Sequence, residues 1–152
     1  MPVVEVTTEI AAPPQVVFDL ARDIDLHVAS MRRHGERAVA GRTSGLIGPN
    51  EEVTWRARHL GVPFRVTSRI TAFDAPLSFT DSMVSGPFAR FEHEHRFDRR
   101  GERTVMNDRF DYEAPFGPLG RLADRLFLER AVRRLLERRA EAIKEVAETA
   151  AG

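Results

Sequence analysis

The sequence predicts an α+β domain in which a curved antiparallel sheet is closed by one long C-terminal helix. Three observations carry this. VVEVTTEIA (3–11) alternates with a period of two, as a half-buried strand does. From residue 36 to about 113 there follow some six further strand-like stretches separated by turns. The chain then ends in RLADRLFLERAVRRLLERRAEAIKEVAE, about 28 residues with leucines recurring at helical spacing. A curved sheet holding such a helix across its concave face leaves a hollow between the two.

Taken in order, the first strand has Val4, Val6, Thr8 and Ile10 on its inner face. Ala12-Pro13-Pro14 ends it, and QVVFDLARD is a short helix entered through proline in its first turn. A second short helix is expected around IDLHVASM. The strands that follow are ERAVAGR, EVTWRARHL, PFRVTSRITAF, LSFTDSMV, FARFEHEHRFD and RTVMNDRFDYE. In the terminal helix, Leu122, Leu126, Leu135, Leu136, Ile143 and Val146 form the expected core-facing stripe.

Hairpin turns fix the parity of each strand. A two-residue turn with glycine first, at Gly61-Val62, pairs Trp55 with Ser68 and His59 with Phe64. Val53, Trp55, Ala57 and His59 then face inward, opposite Phe64, Val66, Ser68 and Ile70. A turn at Arg100-Gly101 places His95 opposite Met106, His93 opposite Asp108 and Phe91 opposite Phe110. A three-residue loop near Gly86 sets Asp81 opposite Phe91 and Phe79 opposite His93, with Leu77, Phe79, Asp81 and Met83 inward. A slip of two residues would change partners and keep faces, whereas a slip of one would bury Arg109 and Asp111.

The stretch FEHEHRF (91–97) is the unusual one. Its wholly charged set faces water, so His93 and His95 point inward beside Phe91 and Phe97. The register gathers Asp81, His93, His95 and Asp108 inside an apolar concave surface, with His59 nearer one end. Such a cluster can be a set of His–Asp pairs that only satisfy one another and fix the register. It can be the polar end of a ligand pocket walled by Trp55, Phe64, Phe79, Phe91, Met106, Phe110 and Tyr112. It can be catalytic, with His93 or His95 as general base tuned by Asp108 or Asp81. His-x-His alone is a weak metal signal, since zinc sites carry three or more protein ligands.

Charge and composition exclude other classes. The 23 basic and 23 acidic residues balance, so no global field recruits nucleic acid or an anionic membrane. No strand carries the aromatic-plus-basic pattern of a base-stacking surface. Without cysteine there is no disulfide or thiolate chemistry. The opening MPVVEVTTEI lacks a basic-then-apolar signal pattern, and no apolar run approaches the roughly 20 residues of a membrane span. A soluble, cytoplasmic protein of one domain is expected. The arginines of the terminal helix, Arg121, Arg125, Arg130, Arg133, Arg134, Arg138 and Arg139, read as a solvated outer face stitched by pairs such as Glu129 with Arg133.

GPFARFEHEHRF (86–97), NDRFDYEAPFGPLGRLAD (107–124) and TTEIAAPPQVVFDLARD (7–23) together resemble the ligand-binding SRPBCC domain proteins, of the START and birch-pollen-allergen superfamily, often labelled polyketide cyclase-like. The resemblance spans essentially the whole chain, 1–152, as a single ligand-binding domain. It implies a helix-grip fold: a seven-stranded antiparallel sheet wrapped around the C-terminal helix, with a deep cavity between. Members carry lipids, sterols, hormones or polyketides, and some are aromatase/cyclases. His93, His95, Asp108 and Tyr112 match the subgroup's motif, while the iron ligands of the oxygenase members have no counterpart. The expectation is therefore a binder of a hydrophobic or amphipathic small molecule, lipid- or polyketide-like. Trp55, His59, Phe79, Asp81, Phe91, His93, His95, Met106, Asp108, Phe110 and Tyr112 would line its cavity. A cyclase-like enzyme with His93, His95 or Asp108 as acid/base, and an interaction protein with a filled cavity, are the alternatives. No cofactor, metal or nucleic-acid partner is expected, and homo-oligomerisation is left open. The Ser44-to-Asn50 segment, rich in glycine and proline, reads as a mobile lid.

Overall fold

The computed structural model describes residues 2–32, 35–59 and 61–151, with only the backbone described at 59 and 151. The elements run β1 (Val3–Ile10), α1 (Pro14–Ala21), α2 (Ile24–Ser30), β2 (Arg37–Gly41), β3 (Glu52–His59), β4 (Val62–Asp74), β5 (Ser78–Ser85), β6 (Arg90–Arg100), β7 (Arg103–Glu113), α3 (Gly117–Ala123), a π-helical turn (Asp124–Leu128) and α4 (Glu129–Ala151). The seven strands make one antiparallel sheet in the order β1-β7-β6-β5-β4-β3-β2. Register shifts at Ala38/Ala40 in β2 and at Thr67/Ser68 and Ile70/Ala72 in β4 bend it, as bulges do. This is the helix-grip architecture, with the C-terminal helical run packed chiefly against β1, α1 and α2.

Local chemistry sets the two short helices. Pro14 opens α1 where a missing N–H costs nothing, and the helix buries Val17, Phe18 and Ala21. Asp23 caps α2, its Oδ1 accepting from the N–H groups of Asp25 and Leu26 at 2.9 and 3.2 Å.

The predicted faces survive in the sheet, but the predicted partners shift by two residues in all three hairpins. Trp55 pairs with Val66 and His59 with Val62, so that Val62 lies in the strand and not in the turn, and Gly61 takes φ +76°. His95 pairs with Asp108, His93 with Phe110 and Phe91 with Tyr112, because the second turn is at Gly101-Glu102. Asp81 pairs with His93 and Phe79 with His95. Leu77 lies before β5 and is exposed, so the inner set of that strand starts at Phe79.

The terminal helix departs further. Its buried positions are Gly120, Asp124, Val132, Leu136, Ala140, Ile143 and Ala147, while Leu122, Leu126 and Val146 face outward. Two local features rotate it away from the predicted stripe. Gly120 packs so tightly on the preceding turn that a Cβ there would lie 1.6 Å from the Pro115 carbonyl oxygen, which fixes which side of α3 faces inward. The π turn then inserts extra arc per hydrogen bond, and the Tyr112 hydroxyl donates to Asp124 Oδ1 at its start.

Two apolar clusters fill the inside. One joins Ile10, Val17, Phe18, Phe79, Phe97, Met106 and Ile143, with Phe18 edge-on to Phe73, Phe79 and Phe97 at 5.4 Å each. The other joins Val4, Phe91, Tyr112, Val132 and Leu136, with Phe88 and Phe110 packed on it.

Candidate functional site

Between these clusters runs a polar belt across the inner face of three adjacent strands. β5 contributes Asp81, β6 contributes His93 and His95, and β7 contributes Asp108. The alternation of each strand places them: Phe79, Phe97 and Met106 continue inward toward the first cluster, Met83, Phe91 and Phe110 toward the second. Each histidine stands directly across from one aspartate and bonds the diagonal one. His95 Nε2 is 2.8 Å from Asp81 Oδ1, and His93 Nε2 is 3.1 Å from Asp108 Oδ1. The direct pairs make no hydrogen bond: His95 Nδ1 lies 3.0 Å from Asp108 Oδ1 but out of hydrogen-bond alignment, and His93 Nδ1 lies 3.8 Å from Asp81 Oδ1. The two imidazole rings are 3.8 Å apart, and Phe79 stacks on His95 at 4.2 Å.

Charge is distributed unequally over the four. Burial pushes His95 toward neutrality, but its contacts with Asp108 and Asp81 outweigh this and raise its pKa. Burial and the adjacent His95 charge lower that of His93 despite Asp108 and Asp81. Burial disfavours ionisation of both aspartates, yet the imidazole hydrogen bonds win and both are held below the usual carboxylate range. The belt thus favours the charged form at His95, which lies between two carboxylates, and the neutral form at His93. With Asp108 ionised, His93 Nε2 carries the proton that bonds it, which leaves Nδ1 with a free lone pair.

Asp81 and His93 reach a cavity of about 70 Å³, whose lining also includes Trp55, Ile70, Phe79 and Arg139. His95 and Asp108 stand behind them, 1% and 4% exposed. Of the other predicted lining residues, Met106 is buried in the first apolar cluster, and Phe91, Phe110 and Tyr112 belong to the second, away from the cavity. Burial and the bond to Asp124 raise the Tyr112 pKa. The side chain of His59 lies outside the described residues.

Several cavity residues were not anticipated. His27 of α2 stacks on Trp55 at 4.2 Å and pairs with Glu36. Arg139, read as part of the solvated helix face, instead turns inward and donates through Nη2 to the Ala21 carbonyl, 2.5 Å away. Arg22 donates to the Ile47 carbonyl and lies 5.7 Å over the Phe18 ring. The Ser44-to-Asn50 segment is fastened down: Ile47 is buried and its N–H donates to the Arg22 carbonyl, while the Gly45 N–H donates to Asp25. A helical arginine reads as solvated by default, and nothing in the local pattern marks the pairing of α2 with Trp55.

Asp81, His93 and His95 each offer one metal-ligating atom, all within 4.8 Å of one another. Of these, His95 Nε2 is already engaged by Asp81 Oδ1.

A seven-stranded antiparallel sheet gripping a long C-terminal helix, with a polar belt on its inner face, defines the chain as a helix-grip protein. The chain belongs to the family described as polyketide cyclase / dehydrase and lipid transport, which matches residues 1–148. Among solved structures it is similar to TTHA0849 from Thermus thermophilus, with TM-score 0.80 and 23% identity over 99% of this chain and 100% of that one. It is also similar to the Zhui aromatase/cyclase from Streptomyces sp. R1128, with TM-score 0.77 and 20% identity over 97% of this chain and 93% of that one. A START superfamily protein from Mycobacterium smegmatis aligns with TM-score 0.70 and 16% identity over 97% of each chain. At these identities the likeness is one of fold. No curated protein sequence matches the chain.

Proposed function

We propose that the protein binds an amphipathic small molecule by one end, in the cavity enclosed by the sheet, the α1–α2 segment and Arg139 of α4. The apolar part would lie against Trp55, Ile70 and Phe79, and a hydroxyl or carbonyl would meet Asp81, His93 and Arg139. The observation that carries this reading is the split of the belt. Asp81 and His93 reach the cavity, whereas His95 and Asp108 are sealed behind them. A belt serving only to fix strand register has no need to show two of its four members to a hollow.

The volume of about 70 Å³ limits what fits. Pockets that enclose drug-sized ligands run to roughly 300–1,000 Å³. A lipid- or polyketide-like ligand therefore inserts only its head unless α2 and α4 separate.

A second reading, cyclase- or dehydrase-like catalysis, is favoured by one feature. His93, whose pKa burial lowers in favour of the neutral form, is held through Nε2 by Asp108 and keeps Nδ1 available, as a general base requires. Native mass spectrometry of the purified protein, before and after mild denaturation, tests the binding reading. A co-purifying organic mass that is lost on unfolding, and is absent from the Trp55→Ala and Asp81→Asn variants, is the expected result. Retention of that mass in both variants would overturn the placement. If no mass co-purifies, a screen of short hydroxy- and keto-acyl compounds by thermal shift replaces it. Uniform failure of that screen would sink the binding reading.

A further inference from the structure

The start of the C-terminal helical run carries an apolar ridge that the core does not use. Phe116 is 83% exposed, Leu119 73%, Phe127 71%, and Leu122 and Leu126 55% each. Isolated exposed leucines need no explanation, but five large side chains within three turns do. The ridge follows from the rotation of the helix described above. Gly120, Asp124, Val132 and Leu136 face inward, so Leu122, Leu126, Arg130 and Arg134 fall midway between them on the outward line.

Phe116 is also held in the left-handed region, at φ 70°, a conformation a side-chain-bearing residue rarely adopts. A bulky aromatic presented to water on a strained backbone is costly on both counts, and such residues concentrate at functional surfaces.

The helical segment that carries the ridge is predominantly basic. The chain as a whole balances 23 basic against 23 acidic residues, but Phe116–Arg134 contains five arginines, at 121, 125, 130, 133 and 134. Of its two acids, Asp124 is turned inward to Tyr112, which leaves Glu129 as the exposed one. The expected Glu129 partner, Arg133, donates instead to the Glu5 carbonyl at 3.1 Å.

We infer that this ridge docks the protein on an anionic lipid surface. Phe116, Leu119, Leu122, Leu126 and Phe127 would sit among the acyl chains, and the arginines would contact phosphate headgroups. Charge complementarity selects this occupant. A second copy of the chain would meet the ridge symmetrically, bringing two sets of five arginines together with one exposed glutamate each. A nucleic-acid backbone would satisfy the arginines and leave the leucines and phenylalanines in water. A convex ridge on one helix also suits a deformable surface, which needs no preformed groove. The inference is independent of the cavity reading and survives its failure.

Co-sedimentation with vesicles tests it. One set is pure phosphatidylcholine, and the other contains one quarter phosphatidylglycerol. The expected result is binding to the anionic set, weakened roughly tenfold or more in pure phosphatidylcholine or in 0.5 M salt. Phe116→Gly and the pair Leu126→Ser with Phe127→Ser should abolish it. Arg130→Glu with Arg134→Glu should abolish the preference for anionic lipid. These positions are exposed, and circular dichroism of each variant checks that the fold is kept. Absence of sedimentation with the anionic set, equal binding to both sets, or unchanged binding in the serine variant would each overturn the inference. So would a concentration-dependent dimer of the wild type that the serine variant dissolves, which would assign the ridge to a second copy.

Discussion

The imidazole rings of His93 and His95 lie 3.8 Å apart, yet their pKa values move in opposite directions. Two stacked cations in a buried belt would repel, so one proton is shared out to the ring with the better anionic partners. His95 has both aspartates and keeps it. NMR of the imidazole nitrogens checks this. At pH 7, His95 should show two protonated nitrogens, and His93 only a protonated Nε2. A doubly protonated His93 at that pH would refute the assignment.

The same asymmetry shapes stability against pH. His95, with its raised folded pKa, stabilises fully below the unfolded value of 6.5, and that contribution is lost as pH rises through the folded value. His93 has the opposite sign. Its folded pKa is depressed, so stability is lost as pH falls below 6.5 and the unfolded chain takes up a proton the folded one refuses. Asp81 and Asp108 stabilise above 3.8, and that contribution is lost as pH falls through their lower folded values. Urea midpoints measured across pH should therefore fall on both sides of neutrality. His93→Gln should flatten the profile between about 6.5 and 4 while leaving the steeper drop below it.

The faces of the strands were legible because parity survives any even slip. Asp81, His93, His95 and Asp108 point inward whether the β6–β7 turn sits at Arg100-Gly101 or at Gly101-Glu102. The partners were not legible. Gly61 and Gly101 can each occupy either turn position, and the hydrophobic pattern is blind to a two-residue shift. The helix face was misread for a different reason. A stripe such as Leu122–Leu126 presumes uniform steps, and both the Gly120 packing and the π turn break that uniformity. Arg139 was hidden by its type, since its role depends on the Ala21 carbonyl at the end of a helix remote in sequence.

Removing the Tyr112 hydroxyl should loosen the junction between β7 and the helical run. Asp124 is 5% exposed and Tyr112 fully buried, so Tyr112→Phe leaves a carboxylate without its donor. A loss of about 1–3 kcal/mol by urea denaturation is expected. The π turn, Asp124–Leu128, should show the largest gain in amide hydrogen exchange. A variant as stable as wild type would mean that water replaces the hydroxyl without cost.

Phe116 and Gly120 make opposite predictions within one turn. Gly120→Ala forces a methyl group into the Pro115 carbonyl and should destabilise by about 1–3 kcal/mol, the scale of overpacking. Phe116→Gly relieves a left-handed conformation at an exposed site and should leave stability unchanged or raise it by up to about 1 kcal/mol. Thermal denaturation of the two variants checks both. A destabilised Phe116→Gly would mean that the phenyl ring packs on the protein and is not held ready for a partner surface.

The polar belt itself separates structure from function most sharply. His95→Ala takes the hydrogen-bond donor from Asp81 and the second imidazole contact from Asp108, and should cost about 3–5 kcal/mol, the range for breaking a buried ion pair by one partner. Replacing all four residues together, Asp81→Leu, His93→Phe, His95→Phe and Asp108→Leu, removes every ionisable group of the belt at once. Apolar replacement of a complete buried network is often neutral or stabilising, by about 1–4 kcal/mol where volumes match. The belt joins two existing apolar clusters, so the quadruple variant should recover most of the stability that His95→Ala loses. If it also retains the bound mass of the wild type, the belt served the fold alone. If it folds and has lost that mass, the belt was kept for the ligand.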